Sequence, residues 1–287
     1  MNKIRNMKLL VHLHVYYHDQ VGYFAEKLRN ISGCEWSLFV TMSTPDAGSE
    51  SVLRSVKPDA VFIRTANVGY DIWPFISVMK SVRLEDYDLV MKLHTKGPSS
   101  IAIHHVRLDG YGWRNALTEA LLKDEGRFHR ILSTFRDRPS TGLLCSDIFL
   151  MLPLPWTDED SLALDKELSR IGLDVRDRHF CVGTMFIART SCYRFLQEAD
   201  ITEDMFPKEQ ISHSGGTMAH VYERILSMAP SAYGFRARGL VTRPAVSAWL
   251  FTDRIFSALF KNIFSINREG YDRHKVLRVA GLKFRLK

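Results

Sequence analysis

Short apolar runs alternating with amphipathic stretches leave this chain few architectures. Lys8–Tyr16, Glu35–Thr41, Ala60–Arg64 and Tyr87–Leu93 read as strands. The last is nearly continuous apolar sequence carrying one lysine, the pattern of a strand covered on both faces. Between them, Val21–Ile31 sets Phe24, Leu28 and Ile31 on one helical face, and Ser51–Val56 makes a shorter helix. Phe75-Ile76 and Val78-Met79 form a third apolar face, with Pro74 in the first turn, where its missing N–H costs nothing. Short helical crossovers imply parallel strands. The pattern continues with strands at Thr141–Ser146 and Thr184–Ala188. Helices are expected from Tyr111 to Leu122, Phe128 to Phe135, Asp158 to Ile171 (ended by Gly172), Ser191 to Glu198, and beyond Gly216. The expectation is an α/β domain with a mostly parallel central sheet flanked by helices.

In such sheets ligands bind beyond the carboxyl ends of the strands, and the polar residues of this chain gather there. Tyr16 and Tyr17 end the first strand, where either could stack on a nucleobase or join the core. The loop Asn67-Val68-Gly69-Tyr70-Asp71 enters the third helix through a glycine free to take positive φ. His94-Thr95-Lys96 ends the fourth strand just before Gly97-Pro98. His104-His105 are sequence neighbours and cannot both face one ion from regular structure. Asp158-Glu159-Asp160 suits a helix N-terminus. In the helix after Gly216, Met218, Val221, Tyr222, Ile225 and Leu226 share one face, and Thr217, His220, Glu223 and Arg224 the other.

Five of these motifs, in order, resemble the rhamnan synthesis protein F family over roughly residues 8–230. They are the Asn-x-Gly-x-Asp loop, the Lys92-Leu93-His94-Thr95-Lys96 strand end, Trp113-Arg114, the turn at Gly183-Thr184, and the glycine hinge leading to His220-Val221-Tyr222-Glu223-Arg224. The resemblance implies a GT-A-like, nucleotide-sugar-binding fold and an inverting bacterial glycosyltransferase of polysaccharide or lipopolysaccharide assembly. It implies a nucleotide-diphosphate sugar donor, with rhamnose the sugar suggested, and a lipid-linked or polysaccharide acceptor. Related folds place an Asp-x-Asp motif where His94-Thr95-Lys96 stands here. Cationic and neutral groups cannot hold magnesium as two aspartates would, but Lys96 can meet phosphate as a point charge. No residue is therefore assigned as a metal ligand. Mg2+ or Mn2+ could still be held by Asp71 or Asp147, and neither is expected to be essential. The implied donor-binding set is Tyr16, Asn67, Gly69, Asp71, His94, Thr95, Lys96, Trp113, Arg114, Gly183, Thr184 and Arg224. The base is expected among Glu209, Glu223 and His220, with Glu223 alternatively orienting His220 or Arg224. Family members often carry an aspartate before the hinge, where this chain has Ser214-Gly215-Gly216. The alternative is a catalytically inactive binding subunit of a polysaccharide assembly complex.

Composition adds bounds. The net charge of +7 suits a polyanionic partner or plain solubility, and no nucleic-acid-binding motif accompanies it. Four cysteines without Cys-x-x-Cys spacing fit a reducing cytoplasm, and no signal-peptide pattern or long uninterrupted apolar run appears. Residues 1–240 are expected to form the catalytic domain and 241–287 an amphipathic, helical, basic tail. The stripe Ile255, Phe256, Leu259, Phe260, Ile263 and Phe264, followed by cations, suits an anionic membrane surface or a helix packed on the domain. With the membrane reading, the protein sits on the inner face of the cytoplasmic membrane through residues 249–287.

Overall fold

The computed structural model describes residues 7–103, 106–151, 158–206, 217–241, 252, 264–269, 274–279 and 282–286. The chain divides into two compact units, Met1–Thr242 and Arg243–Lys287.

In the first unit the opening alternation folds as β1 (Lys8–Val15), α1 (Val21–Leu28), β2 (Glu35–Met42), α2 (Ala47–Arg54), β3 (Val61–Arg64), α3 (Ile72–Ser81) and β4 (Leu89–His94). Next come the small hairpin β5 (Ile101–Ile103) and β6 (Val106–Leu108), α4 (Gly110–Leu122), α5 (Glu125–Asp137) and β7 (Thr141–Ser146). A short β8 (Leu150–Met151), α6 (Asp158–Arg170), β9 (Phe180–Cys181), β10 (Phe186–Arg189), α7 (Phe195–Glu198), α8 (Met218–Ala232) and β11 (Arg236–Leu240) complete it. Helix starts follow side-chain chemistry. Asp46, Asp109 and Asp124 accept from the backbone N–H groups of Ser49, Gly112 and Arg127 at 2.6, 2.6 and 2.7 Å. The Asp46 cap explains why α2 begins at Ala47 rather than at Ser51. Gly172, at φ +69°, ends the turn after α6 as its sequence position implies.

Seven strands form the central sheet in the order β11-β7-β10-β4-β1-β2-β3. β4, β1, β2 and β3 run parallel, as do β7 and β11, and β10 runs antiparallel to both β4 and β7. The mostly parallel α/β architecture expected from the alternation is the one observed. All of β4 is buried, and so is β1 beyond its first residue, between helices contributing Phe24, Leu28, Phe75, Ile76 and Met79 on one side or the other of the sheet. The carboxyl ends of β1 and β4 meet in register, His14 opposite His94.

The second unit corrects the expectation of a helical tail. The described residues beyond 263 form an antiparallel three-stranded sheet, β12 (Phe264–Glu269), β13 (His274–Val279) and β14 (Leu282–Leu286), in that order. Their sequences alternate apolar and polar residues with period 2, as in Leu282-Lys283-Phe284-Arg285-Leu286, and that period belongs to strands. The helical stripe expected at 249–264 lies, apart from Thr252 and Phe264, outside the described residues.

Candidate functional site

A cavity of about 480 Å3 opens beyond the carboxyl ends of β1 and β4. Its lining includes Tyr16, Asn67, Asp71, His94, Thr95, Lys96, Trp113, Gly183, Thr184, His220 and Glu223, residues up to 207 positions apart in sequence whose meeting the motifs anticipated. His14, Tyr17 and Tyr70 join them.

The floor is a buried ionic cluster. Lys92, with no exposed side-chain surface, pairs its ammonium with the Asp71 carboxylate at the N-terminus of α3. The same ammonium donates to Thr184 Oγ1 at 2.9 Å, and Thr184 Oγ1 lies 2.9 Å from Asp71 Oδ2. Burial alone would raise the Asp71 pKa, but the neighbouring His94 ring and the cations Lys92 and Lys96 outweigh it and hold the carboxyl well below its usual range. Asp71 is therefore an anion committed to protein cations. Among the described residues no group of three or more His, Cys, Asp or Glu side chains is placed to hold a metal. The donor set around Asp71 does not fit a divalent cation, which wants several free oxygen ligands.

Two loops carry this cluster in left-handed backbone. Gly69 and Tyr70 have φ of 62° and 55°, and Gly183 and Thr184 of 82° and 42°. A Cβ on Gly69 would come within 2.9 Å of Phe206, and one on Gly183 within 2.9 Å of Leu117. Tyr70 and Thr184 hold a conformation that costs a residue with a side chain about 1–3 kcal/mol, and such residues cluster at ligand sites. Gly183 N–H donates to Glu223 Oε1 at 3.2 Å, tying this corner to α8.

The walls are built from the strand ends. Thr95 Oγ1 accepts from the backbone N–H of both Tyr16 and Tyr17 at 3.0 Å, so Thr95 shapes the end of β1. Gln20 clamps the Lys96 peptide, its Nε2 donating to Lys96 O at 2.6 Å and its Oε1 accepting from Lys96 N at 3.2 Å. The Lys96 ammonium lies 3.5 Å from the centroid of the Trp113 ring. Burial lowers the Lys96 pKa, and the carboxylates of Asp71 and Glu223 partly restore it. On the opposite wall His220 Nδ1 is 2.8 Å from Thr217 Oγ1, and the His220 ring stands edge-on to Tyr70 at 6.1 Å. Glu223 Oε2 is 3.7 Å from Arg224 Nη1. A second cavity, of about 710 Å3, shares Tyr16 and Asn67 and adds His18, Ser43, Thr44 and Arg64 at the ends of β1, β2 and β3.

Three expected site residues lie off the cavity lining. Arg114 is buried with its guanidinium against the rings of Tyr23 and Tyr111 at 3.8 and 4.9 Å, and it bonds Asn115. Stacking on the Tyr23 ring of α1 and the Tyr111 ring of α4 turns it from the cavity that its neighbour Trp113 lines. Arg224 donates to His220 O at 2.7 Å and lies 5.0 Å from the Phe180 ring, so it serves α8 itself. Gly69 is buried against Phe206, and its role is the backbone turn that presents Tyr70 and Asp71. Glu209, the glycine hinge at Gly215-Gly216, and His104-His105 lie outside the described residues. Sequence alone does not single out Gln20, and it gives Lys92 and Tyr70, though both stand in its motifs, no role of their own. For Lys92 there was a signal, since a lysine within a buried strand requires an anionic partner.

Comparison with solved structures finds loose resemblances. The crystal structure of a mycobacterial protein aligns over 98% of this chain and 87% of its own, at 12% identity and a TM-score of 0.39. Mycobacterium tuberculosis glucosyl-3-phosphoglycerate synthase, in complex with Mn2+, UDP-glucose and phosphoglyceric acid, aligns over 97% of this chain and 89% of its own, at 10% identity and a TM-score of 0.36. Among curated sequences, the uncharacterized protein WxcX of two strains of Xanthomonas campestris pv. campestris is 30% identical over 229 residues. That match covers 78% of this chain and 31% of each relative, so the chain spans about a third of their length. The family model for rhamnan synthesis protein F matches residues 1–235. The chain belongs to the rhamnan synthesis protein F family.

Proposed function

We propose that this chain is a glycosyltransferase that moves a sugar, with rhamnose the first choice, from a nucleotide-diphosphate donor to a polysaccharide or lipid-linked acceptor, with inversion. The observation that carries the reading is Lys96, clamped through its peptide by Gln20 and projecting its ammonium across Trp113 into an aromatic-walled cavity beyond the carboxyl ends of the parallel strands. Membership of a family named for rhamnan synthesis supports it.

In this reading the donor's diphosphate lies against Lys96, with its nucleoside toward Tyr16 and the second cavity. The acceptor oxygen bonds to the anomeric carbon as the bond from that carbon to the diphosphate oxygen breaks. The nucleoside diphosphate leaves with the electron pair, and Lys96 stabilises its charge. The acceptor's proton passes to a base. Glu223 is tied to Gly183 and lies near Arg224, whereas the His220 ring is held through Nδ1 by Thr217 and stands against Tyr70. With its Nδ1 proton on Thr217, His220 has the Nε2 lone pair to take the acceptor proton, and Glu223 positions the Gly183 corner. Glu209 is the rival base.

Transfer from a panel of sugar nucleotides, with and without chelator, tests the reading. The expected result is turnover that survives chelation and falls roughly 100-fold in Lys96→Ala, the scale for losing one electrostatic stabiliser. Loss of all turnover in chelator, restored by Mn2+ or Mg2+, overturns the metal-free form. Binding of a sugar nucleotide without transfer to any acceptor or to water favours the inactive-subunit alternative. Attachment of residues 249–287 to an anionic membrane, with the protein on the inner membrane face, belongs to the same proposal. It is tested by salt-sensitive sedimentation with anionic vesicles. Among the described residues no helix is long and apolar enough to cross a membrane.

A further inference from the structure

His94 is the last residue of β4, lines the main cavity, and is only 3% exposed. Neither of its ring nitrogens has a hydrogen-bond partner among the described residues. Its neighbours, by contrast, are engaged: His14 Nδ1 with Thr41 Oγ1 at 3.0 Å, and Lys92 with Asp71 and Thr184. A buried imidazole with both nitrogens unpaired is costly, and a ligand that pairs one of them recovers part of that cost.

The geometry also says what kind of group that ligand must offer. His94 Nδ1 lies 3.3 Å from Asp71 Oδ2, without the alignment of a hydrogen bond. A lone pair at Nδ1 would face the carboxylate oxygen and be repelled, and a proton there is attracted. Burial, together with the cations Lys96 and Lys92, lowers the His94 pKa well below its ordinary value despite the opposing pull of Asp71. The ring is thus neutral, protonated at Nδ1, and its Nε2 is an acceptor. The diphosphate of a sugar nucleotide is fully ionised near neutral pH and has no proton to donate, whereas every sugar hydroxyl has one.

We propose that His94 accepts a hydrogen bond at Nε2 from a hydroxyl of the sugar bound in this cavity, and that it selects the sugar rather than binding phosphate. The inference rests on the nucleotide-sugar reading above and reassigns one residue that sequence order placed beside the diphosphate. A sugar lacking the hydroxyl would leave Nε2 unpaired and bind roughly 10- to 100-fold more weakly.

The test is calorimetric binding to the full chain of two probe pairs: thymidine diphosphate with thymidine-diphosphate-rhamnose, and UDP with UDP-glucose. The pair that binds is followed by single-deoxy versions of its sugar. For His94→Phe the free nucleotide should bind within about 2-fold of wild type, while the sugar nucleotide loses roughly 10- to 100-fold. Lys96→Ala should weaken both. One deoxy sugar should bind poorly to wild type yet show no further loss in His94→Phe, the signature of a coupled pair. Equal weakening of nucleotide and sugar nucleotide in His94→Phe overturns the proposal in favour of phosphate contact. Should His94→Phe fail to fold, the deoxy series on wild type decides, since the absence of any hydroxyl whose removal costs more than about 3-fold also overturns it. Wild-type protein that binds neither pair overturns the nucleotide-sugar reading, and this inference with it.

Discussion

Lys92, buried in the fourth strand, reaches the Asp71 carboxylate at the head of α3, 21 residues earlier in the chain. The same ammonium holds the carbonyl and hydroxyl of Thr184, 92 residues later, at 3.3 and 2.9 Å. One cation therefore staples two left-handed corners to the sheet, and those corners form the floor of the cavity.

Removing one partner should cost far more than removing both. Lys92→Met leaves Asp71 buried without its main counter-ion, and a loss of about 3–5 kcal/mol is expected in urea unfolding. Lys92→Met combined with Asp71→Asn should recover a large part of that loss. A double variant as unstable as the single would mean that the pair's charge is not what matters at this position.

Acid should destabilise the fold earlier than carboxylates alone would require. His12, His14 and His94 are buried, and desolvation depresses each one's pKa, that of His14 from 6.5 to about 4. The unfolded chain thus binds protons that the folded one refuses, so stability is full above pH 6.5 and declines as the pH falls below it. His14 alone would account for about 3 kcal/mol by pH 4. Asp71, whose pKa is also depressed, adds its share only below its ordinary 3.8. Denaturation midpoints measured from pH 7.5 to 4 should fall steadily, and a flat profile down to pH 4.5 would contradict the burial of these rings.

Gln20 grips both polar atoms of the Lys96 peptide and itself reaches no reacting atom in the proposed chemistry. Gln20→Leu should lower turnover about 10-fold through misplacement of the ammonium, while Gln20→Glu, which keeps one of the two bonds, should lose less. The split matters: kcat should move more than Tm in Gln20→Leu, and a fall in Tm with unchanged turnover per folded molecule would make the clamp merely structural.

The proton acceptor can be located by comparing three amide replacements. His220→Gln should abolish most turnover while sparing donor affinity. Glu223→Gln, which weakens the bond from Gly183, should lower both donor affinity and turnover. Glu209→Gln with turnover near zero and His220→Gln near normal would transfer the role to Glu209.

Much of this was legible beforehand where period and punctuation agreed. β1, β2 and β7 fall within a residue of their apolar runs, and the residues from Asn67 to Lys96 frame the cavity as their strand-end positions imply. Side-chain direction was harder to read. Trp113 and Arg114 are adjacent, so on a helix one faces the cavity and the other does not, and nothing in the local sequence says which. Gln20 was invisible because its role is to another segment's backbone, 76 residues away. The tail departs from expectation because its cationic, apolar sequence follows a stripe of helical period, while its own alternation is that of strands.

The reversed strand β10 has a consequence for how the molecule is made. β4 and β7 do not pair with each other, and both are joined only through β10. Its first residue, Phe186, sits opposite Lys92 and Cys145. A nascent chain that has emerged through β7 therefore holds the four-stranded sheet β4-β1-β2-β3 and an unpaired β7, with open, apolar flanks and an incomplete floor to its pocket. Closing that gap spans a long loop, a step whose entropy slows assembly. Chains cut between β7 and β10 should accordingly collect in aggregates or on chaperones, whereas chains released just after β11 should fold and be soluble.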